Sequence, residues 1–311
     1  MKLSMFNEFQ LGVVKEDRIV SVGEAVKDMD YHTPQELMEK VIINFTQLAP
    51  RFQEIVNKNE GVPIASVHLR PPLTRPTNID CMAVNYMESG TRAEPAPINA
   101  FHKSPNAIIG DGDTMVLPDV PATIFEGEAE LAVVIGKRAT KVNQAEAMNY
   151  VFGYLNFIDG SARGLPPAGN SFYQMKSRDT FAPIGPYLVT ADEVPDPHNL
   201  KVQLWNNGVL MQDYHTSDMT NKIPRCIEWI TSIHTLEPGD IVATGTNHRG
   251  LNPFLDGDQI EIEVEGLGRL HFQVRDDLKR TWARETRLDR QQKKLEGATP
   301  QLTGKYAAKP S

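Results

Sequence analysis

The chain is 311 residues long with a mass of 34.7 kDa, enough for one large core or two unequal domains, because cores seldom grow past about 250 residues before splitting. Hydrophobic residues make up 40% and charged residues 23%, a globular balance that excludes fibrous, collagen-like and wholly disordered classes. Thirty-two Lys and Arg against forty Asp and Glu leave a net charge of −8, so most of the surface repels a nucleic-acid backbone and no such partner is expected.

Along the chain, Gln10 to Val14 and Arg18 to Val22 read as short strands. Thr33-Pro34-Gln35-Glu36 then opens a helix, with Thr33 as N-cap, Pro34 as first helical residue and Glu36 as reciprocal cap. Leu37, Met38, Val41, Ile42, Phe45 and Leu48 continue it at helical spacing until Pro50 interrupts. These elements predict a small N-terminal α+β domain over residues 1–74, closed by the proline-bearing stretch from Leu69 to Pro76, which favours extended backbone.

Residues 75–278 are strand-rich. Predicted strands are Thr114 to Leu117, Glu128 to Ile135, Tyr187 to Thr190, Ile241 to Thr244, Gln259 to Val264 and Arg269 to Val274. Lys201 to Trp205 and Val209 to Gln212 form a hairpin about Asn207-Gly208, a pair that tolerates the positive φ such turns need. One helix is capped at Asn143 and another runs from Pro224 through Ile233. Strands outnumber helices and no strand-helix-strand unit repeats, so the expected fold class is α+β, not a doubly wound parallel sheet. Residues 279–311 are a charged tail. From Arg275 onward ten Lys and Arg stand against five Asp and Glu, a net +5 that leaves −13 on the body. A solvated helix with a frayed end is the expectation; an arm docked over the acidic body is the alternative.

Cys81 and Cys226 lie far apart and form no CxxC pair, so neither a thiolate metal site nor a disulfide framework is signalled. No apolar run approaches the ~20 residues of a membrane span, and Glu8 falls where a signal peptide needs its apolar core. A soluble cytoplasmic protein without a membrane partner is expected.

The most informative segment is Phe125-Glu126-Gly127-Glu128-Ala129-Glu130-Leu131-Ala132-Val133-Val134-Ile135-Gly136. As a strand it places Glu126, Glu128 and Glu130 on one face, neighbours about 7 Å apart, while the apolar continuation enters the core. Such carboxylates either raise one another's pKa or recruit a hard divalent ion; a solvated face is the plain alternative. Asp159, in Ile158-Asp159-Gly160-Ser161-Ala162-Arg163, closes an apolar segment as a ligand at a strand terminus would, or else marks an Asp turn. Ser161 fails the nucleophile-elbow test, because Asp159 stands where glycine is required. Lys176 in isolation reads as a surface residue, and Thr244-Gly245-Thr246-Asn247-His248-Arg249-Gly250 as a donor-rich loop suited to an anion.

Together these segments are specific. Glu128-Ala129-Glu130, Asp159-Gly160-Ser161-Ala162-Arg163, Lys176-Ser177, Phe181-Ala182-Pro183-Ile184-Gly185-Pro186, Asn207-Gly208, Leu236-Glu237-Pro238-Gly239-Asp240 and Thr244-Gly245-Thr246 occur in an order and spacing that resembles the fumarylacetoacetate hydrolase family over about residues 78 to 275. The resemblance implies a mixed β-roll catalytic domain, a small N-terminal domain and a homodimer. It implies Mg²⁺ or Mn²⁺ on Glu128, Glu130 and Asp159, which leaves Glu126 as a solvated bystander. Tyr86, Arg163 and Thr246 are expected at the substrate, with Lys176 adding positive charge beside it. The implied chemistry passes through an enolate of a small 2-oxo acid or 1,3-dicarbonyl, foremost carbon–carbon bond hydrolysis of an acylpyruvate-like compound in aromatic catabolism. Decarboxylation, isomerisation or hydration is the alternative.

One departure matters. Family hydrolases carry Asn-Tyr-x-x-His with a Glu shortly after; here Asn85-Tyr86-Met87-Glu88-Ser89-Gly90-Thr91-Arg92 has Ser89 at the His position and Arg92 near that of the Glu. Gly164, and Asn247 in place of proline after Thr246, are lesser departures. With the usual dyad missing, Glu88, Glu94, His102 and His248 are the candidate bases, His248 first because it lies beside Thr246. A non-catalytic relative that keeps metal and ligand binding is the reading from a different class.

Overall fold

The computed structural model describes residues 1–88, 92–166 and 172–307; the expectation at Ser89 lies outside them. In the first segment β1 (Lys2–Phe6), β2 (Gln10–Lys15) and β3 (Arg18–Ser21) form an antiparallel meander. α1 (Pro34–Ile43) starts as predicted, with the Thr33 hydroxyl accepting from the Glu36 amide, a cap worth about 1 kcal/mol. The Glu36 carboxylate accepts from the His32 amide at 2.7 Å, one residue upstream of the expected partner. The helix stops at Asn44, not at Pro50. Asn44 donates its side-chain amide to the Lys40 carbonyl, and α2 (Phe45–Lys58) follows with Pro50 inside it. Leu48, Phe52 and Val56 then share the buried face at a spacing of four residues. β4 (Val62–Pro63) and β5 (Leu69–Arg70) complete this part.

The remaining strands are β6 (Ile79–Met82), β7 (Ala100–His102), β8 (Ile108–Ile109), β9 (Thr114–Val116), β10 (Ile124–Ile135), β11 (Val151–Arg163), β12 (Ala182–Thr190), β13 (Lys201–Asn206), β14 (Val209–His215), β15 (Ile241–Ala243), β16 (Gln259–Val264) and β17 (Arg269–Arg275), then β18 (Thr281–Trp282) and β19 (Gln301–Thr303). Helices α3 (Phe172–Lys176), α4 (Ile223–Ile233) and α5 (Arg287–Gln292) lie between them. The segment after Asn143 is a 3₁₀ helix, Gln144–Tyr150, not an α-helix.

One twelve-stranded sheet runs β4-β3-β2-β1-β12-β11-β10-β15-β6-β7, with β5 added on β1 and β8 on β12. A five-stranded sheet, β14-β13-β16-β17-β9, packs with it. Most pairings are antiparallel, but β15 with β6, β12 with β8 and β17 with β9 are parallel, which makes the architecture the strand-rich, mixed-sheet α+β fold expected. β10 lies between β11 and β15 and all twelve of its residues are buried, so the acidic strand is interior from end to end. No helix among the described residues is long and apolar enough to cross a membrane.

Around Arg280 to Arg290 the C-terminal segment corrects the expectation of a solvated tail, while 291–298 are exposed and the expected frayed end at 308–311 lies outside the described residues. Trp282 is buried and donates its indole N–H to the Thr123 carbonyl at 2.8 Å. Buried Arg280 donates to both carboxylate oxygens of Asp276 at 2.9 Å, and Arg284 pairs with buried Asp258. The segment is strapped over its own body by arginines that meet buried acids.

Candidate active site

β10 and β11 run antiparallel with Glu128 directly opposite Asp159 and Glu126 opposite Ser161. Asp159 is inside β11, not at its terminus as expected, because the small residues after it continue the strand. A Cβ at Gly160 would sit 2.9 Å from Phe181, and one at Gly127 would sit 2.4 Å from Phe254. Glycine at both positions lets aromatic rings close one face of the ribbon while the carboxylates occupy the other. Glu128, Glu130 and Asp159 are all nearly inaccessible, and one oxygen from each falls within 4.8 Å of the others.

Three cations face these acids. Lys176, at the end of α3, is buried and not the surface residue its local sequence indicates. Its ammonium donates to Glu128 Oε1 at 2.8 Å and to Asp159 Oδ2 at 2.5 Å. Lys103, just past β7, donates to Asp159 Oδ1 at 2.6 Å and to the carbonyls of Gly160 and Lys176. Arg163 ends β11 and bonds Glu128 Oε1 and, at 2.9 Å, Glu126 Oε2. Glu126 is no solvated bystander: it is buried and clamped between Arg163 and Arg287, the latter at 2.6 Å.

These partners split the acids electrostatically. Burial favours the neutral form of each, but Lys176 and then Arg163 hold Glu128 well below the usual carboxylate range, and Arg287 with Arg163 hold Glu126 down. Lys176, penalised by burial, is nonetheless raised by Asp159 and Glu128. Glu130 goes the other way. Burial, with the charges of Asp159 and Glu128, pushes its carboxyl well above the ordinary range, and the Gly245 amide donates to it at 2.6 Å. No salt bridge among the described residues reaches it. An all-oxygen donor set with spare lone pairs and one uncompensated acid fits a hard divalent cation.

The opposite wall is the loop after β15. Gly245 adopts φ +90°, which a side chain would strain, and so turns its amide onto Glu130. Gln212 of β14 accepts from the Ala129 amide at 3.0 Å and donates to the Thr246 hydroxyl and the Asn247 carbonyl, both at 2.9 Å. Thr246 is thereby fixed against β10, its own hydroxyl hydrogen directed to a long 3.4 Å contact with Tyr214. Tyr86 is buried edge-on against the Tyr214 ring, centroids 5.1 Å apart, a packing position behind this loop. The Asn247 side chain caps the Arg249 amide and sets the short turn His248–Gly250.

That turn brings His248 Nδ1 to 2.6 Å from Glu88 Oε1, and Arg92 donates to the same oxygen at 3.0 Å. Burial opposes ionisation of Glu88, but the bonds and charges of His248 and Arg92 pull its pKa down to about 2. Since Nδ1–H donates to the carboxylate, Nε2 is left with the lone pair. Two of the four candidate bases are thus brought together. Glu94 is exposed, and His102 lies beside Asp80 and His234. Lys103, Gln212 and Arg287 were not foreseen; each arrives from a distant segment with no local pattern to mark it.

With this geometry in view, the chain matches the model of the fumarylacetoacetate (FAA) hydrolase C-terminal domain over residues 78–275. It is 31% identical to maleylpyruvate hydrolase of Aquipseudomonas alcaligenes over 291 residues, covering 88% of this chain and 99% of that protein. It is 38% identical to the oxaloacetate tautomerase YisK of Bacillus subtilis over 223 residues, 68% of this chain and 74% of the other. Among solved structures, maleylpyruvate hydrolase from Sphingobium sp. SYK-6, in complex with manganese(II) and pyruvate, superposes with a TM-score of 0.80 at 34% identity, over 89% of this chain and 99% of that one. The chain belongs to the fumarylacetoacetate hydrolase family of enzymes.

Proposed function

We propose that this protein hydrolyses the carbon–carbon bond of an acylpyruvate-like 2,4-dioxo acid, with Glu128, Glu130 and Asp159 as the ligands of Mg²⁺ or Mn²⁺. The buried convergence of those three carboxylates carries the reading. A divalent ion there supplies Lewis-acid stabilisation of the negative charge that develops on a 2-oxo acid, worth several kcal/mol.

The chain's own groups divide the remaining work. Lys176 and Arg163 place positive charge against the carboxylate cluster, available to a substrate carboxylate or enolate oxygen. Thr246, oriented by Gln212, offers a hydroxyl to an anionic oxygen. His248 Nε2, with Glu88 orienting the ring through Nδ1, takes a proton from water as its oxygen bonds to the C4 carbonyl carbon. Collapse breaks the C3–C4 bond; the electron pair leaves as the enolate of pyruvate, which is protonated at C3, and the C4 fragment departs as a carboxylic acid. The Glu88–His248 pair supports catalysis over a binding-only role, since that role rested on a missing dyad.

Tautomerisation of oxaloacetate is the second reading, supported by the Bacillus subtilis relative and by the absence of histidine at position 89. It needs proton transfer but no water attack. The test is to incubate the metal-loaded protein with maleylpyruvate and with oxaloacetate, following pyruvate release and enol decay separately. Stoichiometric pyruvate from maleylpyruvate, lost in Glu128→Ala, supports hydrolysis. Enol decay without pyruvate release moves the assignment to tautomerase, and neither signal removes both.

A further inference from the structure

A second cluster of metal-ligating side chains lies outside the carboxylate site. Asp80 on β6 and His102 on β7 are direct cross-strand partners, and His234 is the C-cap residue just past α4. One ligand atom from each lies within 4.8 Å of the others. His234 Nε2 is 3.1 Å and His102 Nδ1 3.5 Å from the same oxygen, Asp80 Oδ1.

The hydrogen-bond directions determine what this cluster lacks. His234 Nδ1 is 3.0 Å from the Thr235 carbonyl, an acceptor only, so Nδ1 carries a hydrogen. In the neutral ring Nε2 then presents a lone pair straight at a carboxylate oxygen. Two acceptors at 3.1 Å need either a proton or a metal ion between them. Asp80 Oδ2 is buried with no hydrogen-bond partner among the described residues, so the carboxylate also has unspent capacity. Ligands bonded to zinc at about 2.0–2.1 Å in a tetrahedron stand roughly 3.3 Å apart, and the two observed separations bracket that edge. The carbonyl behind His234 is the kind of outer partner that orients a ligating imidazole.

We propose that Asp80, His102 and His234 form a second metal site, selective for Zn²⁺ or a similar imidazole-preferring ion and distinct from the all-oxygen site that suits Mg²⁺ or Mn²⁺. A cavity of about 160 Å³, walled by Phe101, Trp229 and Ile233, borders the three ligands. His102 is 61% exposed in its side chain, so the site opens to solvent and a water completes the shell.

The test uses the full chain, stripped of metal and then titrated with Zn²⁺ under saturating Mg²⁺. Wild type and Glu128→Ala each retain one Zn²⁺ equivalent. His102→Ala and His234→Ala bind it at least about 10–100-fold more weakly. Co²⁺ loaded in its place gives the visible absorption of a tetrahedral centre in wild type and Glu128→Ala but not in the histidine variants. Matching unfolding midpoints of the metal-free proteins show that the variants are folded, which the exposure of His102 favours. No retained Zn²⁺ would mean a proton-bridged His–Asp pair and overturns the proposal. Zn²⁺ lost in Glu128→Ala but kept in the histidine variants overturns it too, by assigning the ion to the carboxylates.

Discussion

His248 and Glu88 do together what their sequence neighbourhoods could not announce: a carboxylate held ionised by Arg92 fixes one nitrogen of an imidazole and frees the other. His248→Asn keeps a donor toward Glu88 and removes the acceptor that would face water. The expected result is a fall of about 10²–10⁴-fold in kcat for hydrolysis with Mn²⁺ affinity unchanged, measured by pyruvate release and by calorimetry; hydrolysis that survives places water activation elsewhere. The same pair has a pH signature. The folded pKa of Glu88, about 2, lies below its ordinary 4.5, so its stabilisation is complete above the unfolded value and disappears as pH falls through the folded one. The melting-temperature gap between wild type and Glu88→Gln therefore narrows as pH falls from about 5 toward 2; a gap that instead widens in acid would contradict the assigned ionisation. The shared face of Glu126, Glu128 and Glu130 was legible because side chains alternate along one strand. Lys103 was not, because its reach to Asp159 spans 56 residues and leaves no periodic trace.

Among the elements, the C-terminal strap is where local composition misleads most. A run of arginines and lysines looks solvated when read by itself, yet Arg280, Arg284 and Arg287 each meet an acid that the rest of the fold has buried. Arg287 matters to the site, since it shares Glu126 with Arg163. Arg287→Ala leaves Arg163 as the sole guanidinium on that acid and draws it away from Glu128. A loss of about 1.5–3 kcal/mol in stability follows from removing a bond to a charged, buried acceptor. KM for the dioxo acid should rise more than kcat falls, the pattern of lost ground-state binding. Thermal unfolding and steady-state kinetics check both, and an unchanged KM would detach the strap from the site. Several strands were readable, from the Asn207-Gly208 hairpin to the Gln259–Val264 and Arg269–Arg275 pair, since each alternates or carries its own turn, whereas β1, β6, β7 and β8 were not predicted. The extension of β11 through Gly160-Ser161-Ala162 was hidden because small residues look like a loop until Phe181 is seen to need the space.

At the scale of the whole molecule, the proline-rich stretch near residue 74 marks a junction in the sequence that the main sheet crosses. β1 pairs with β12 at Lys2 with Val189 and Leu3 with Leu188, and Leu3, Met5, Leu188 and Val189 are all buried in one continuous core. Residues 1–74 are proposed as a structural unit in sequence, but one whose absence leaves β12 with an unpaired edge and apolar side chains facing water. Such edges recruit other chains. A fragment of residues 75–311 should therefore unfold at a lower temperature than the full chain and scatter light at concentrations where the full chain does not. Mn²⁺ should still bind any fragment that remains folded, since Glu128, Glu130 and Asp159 lie wholly within it. A fragment with the full chain's unfolding midpoint and no added scattering would show that the sequence junction is also a folding boundary, and that the β1–β12 pairing joins two units that are each stable alone.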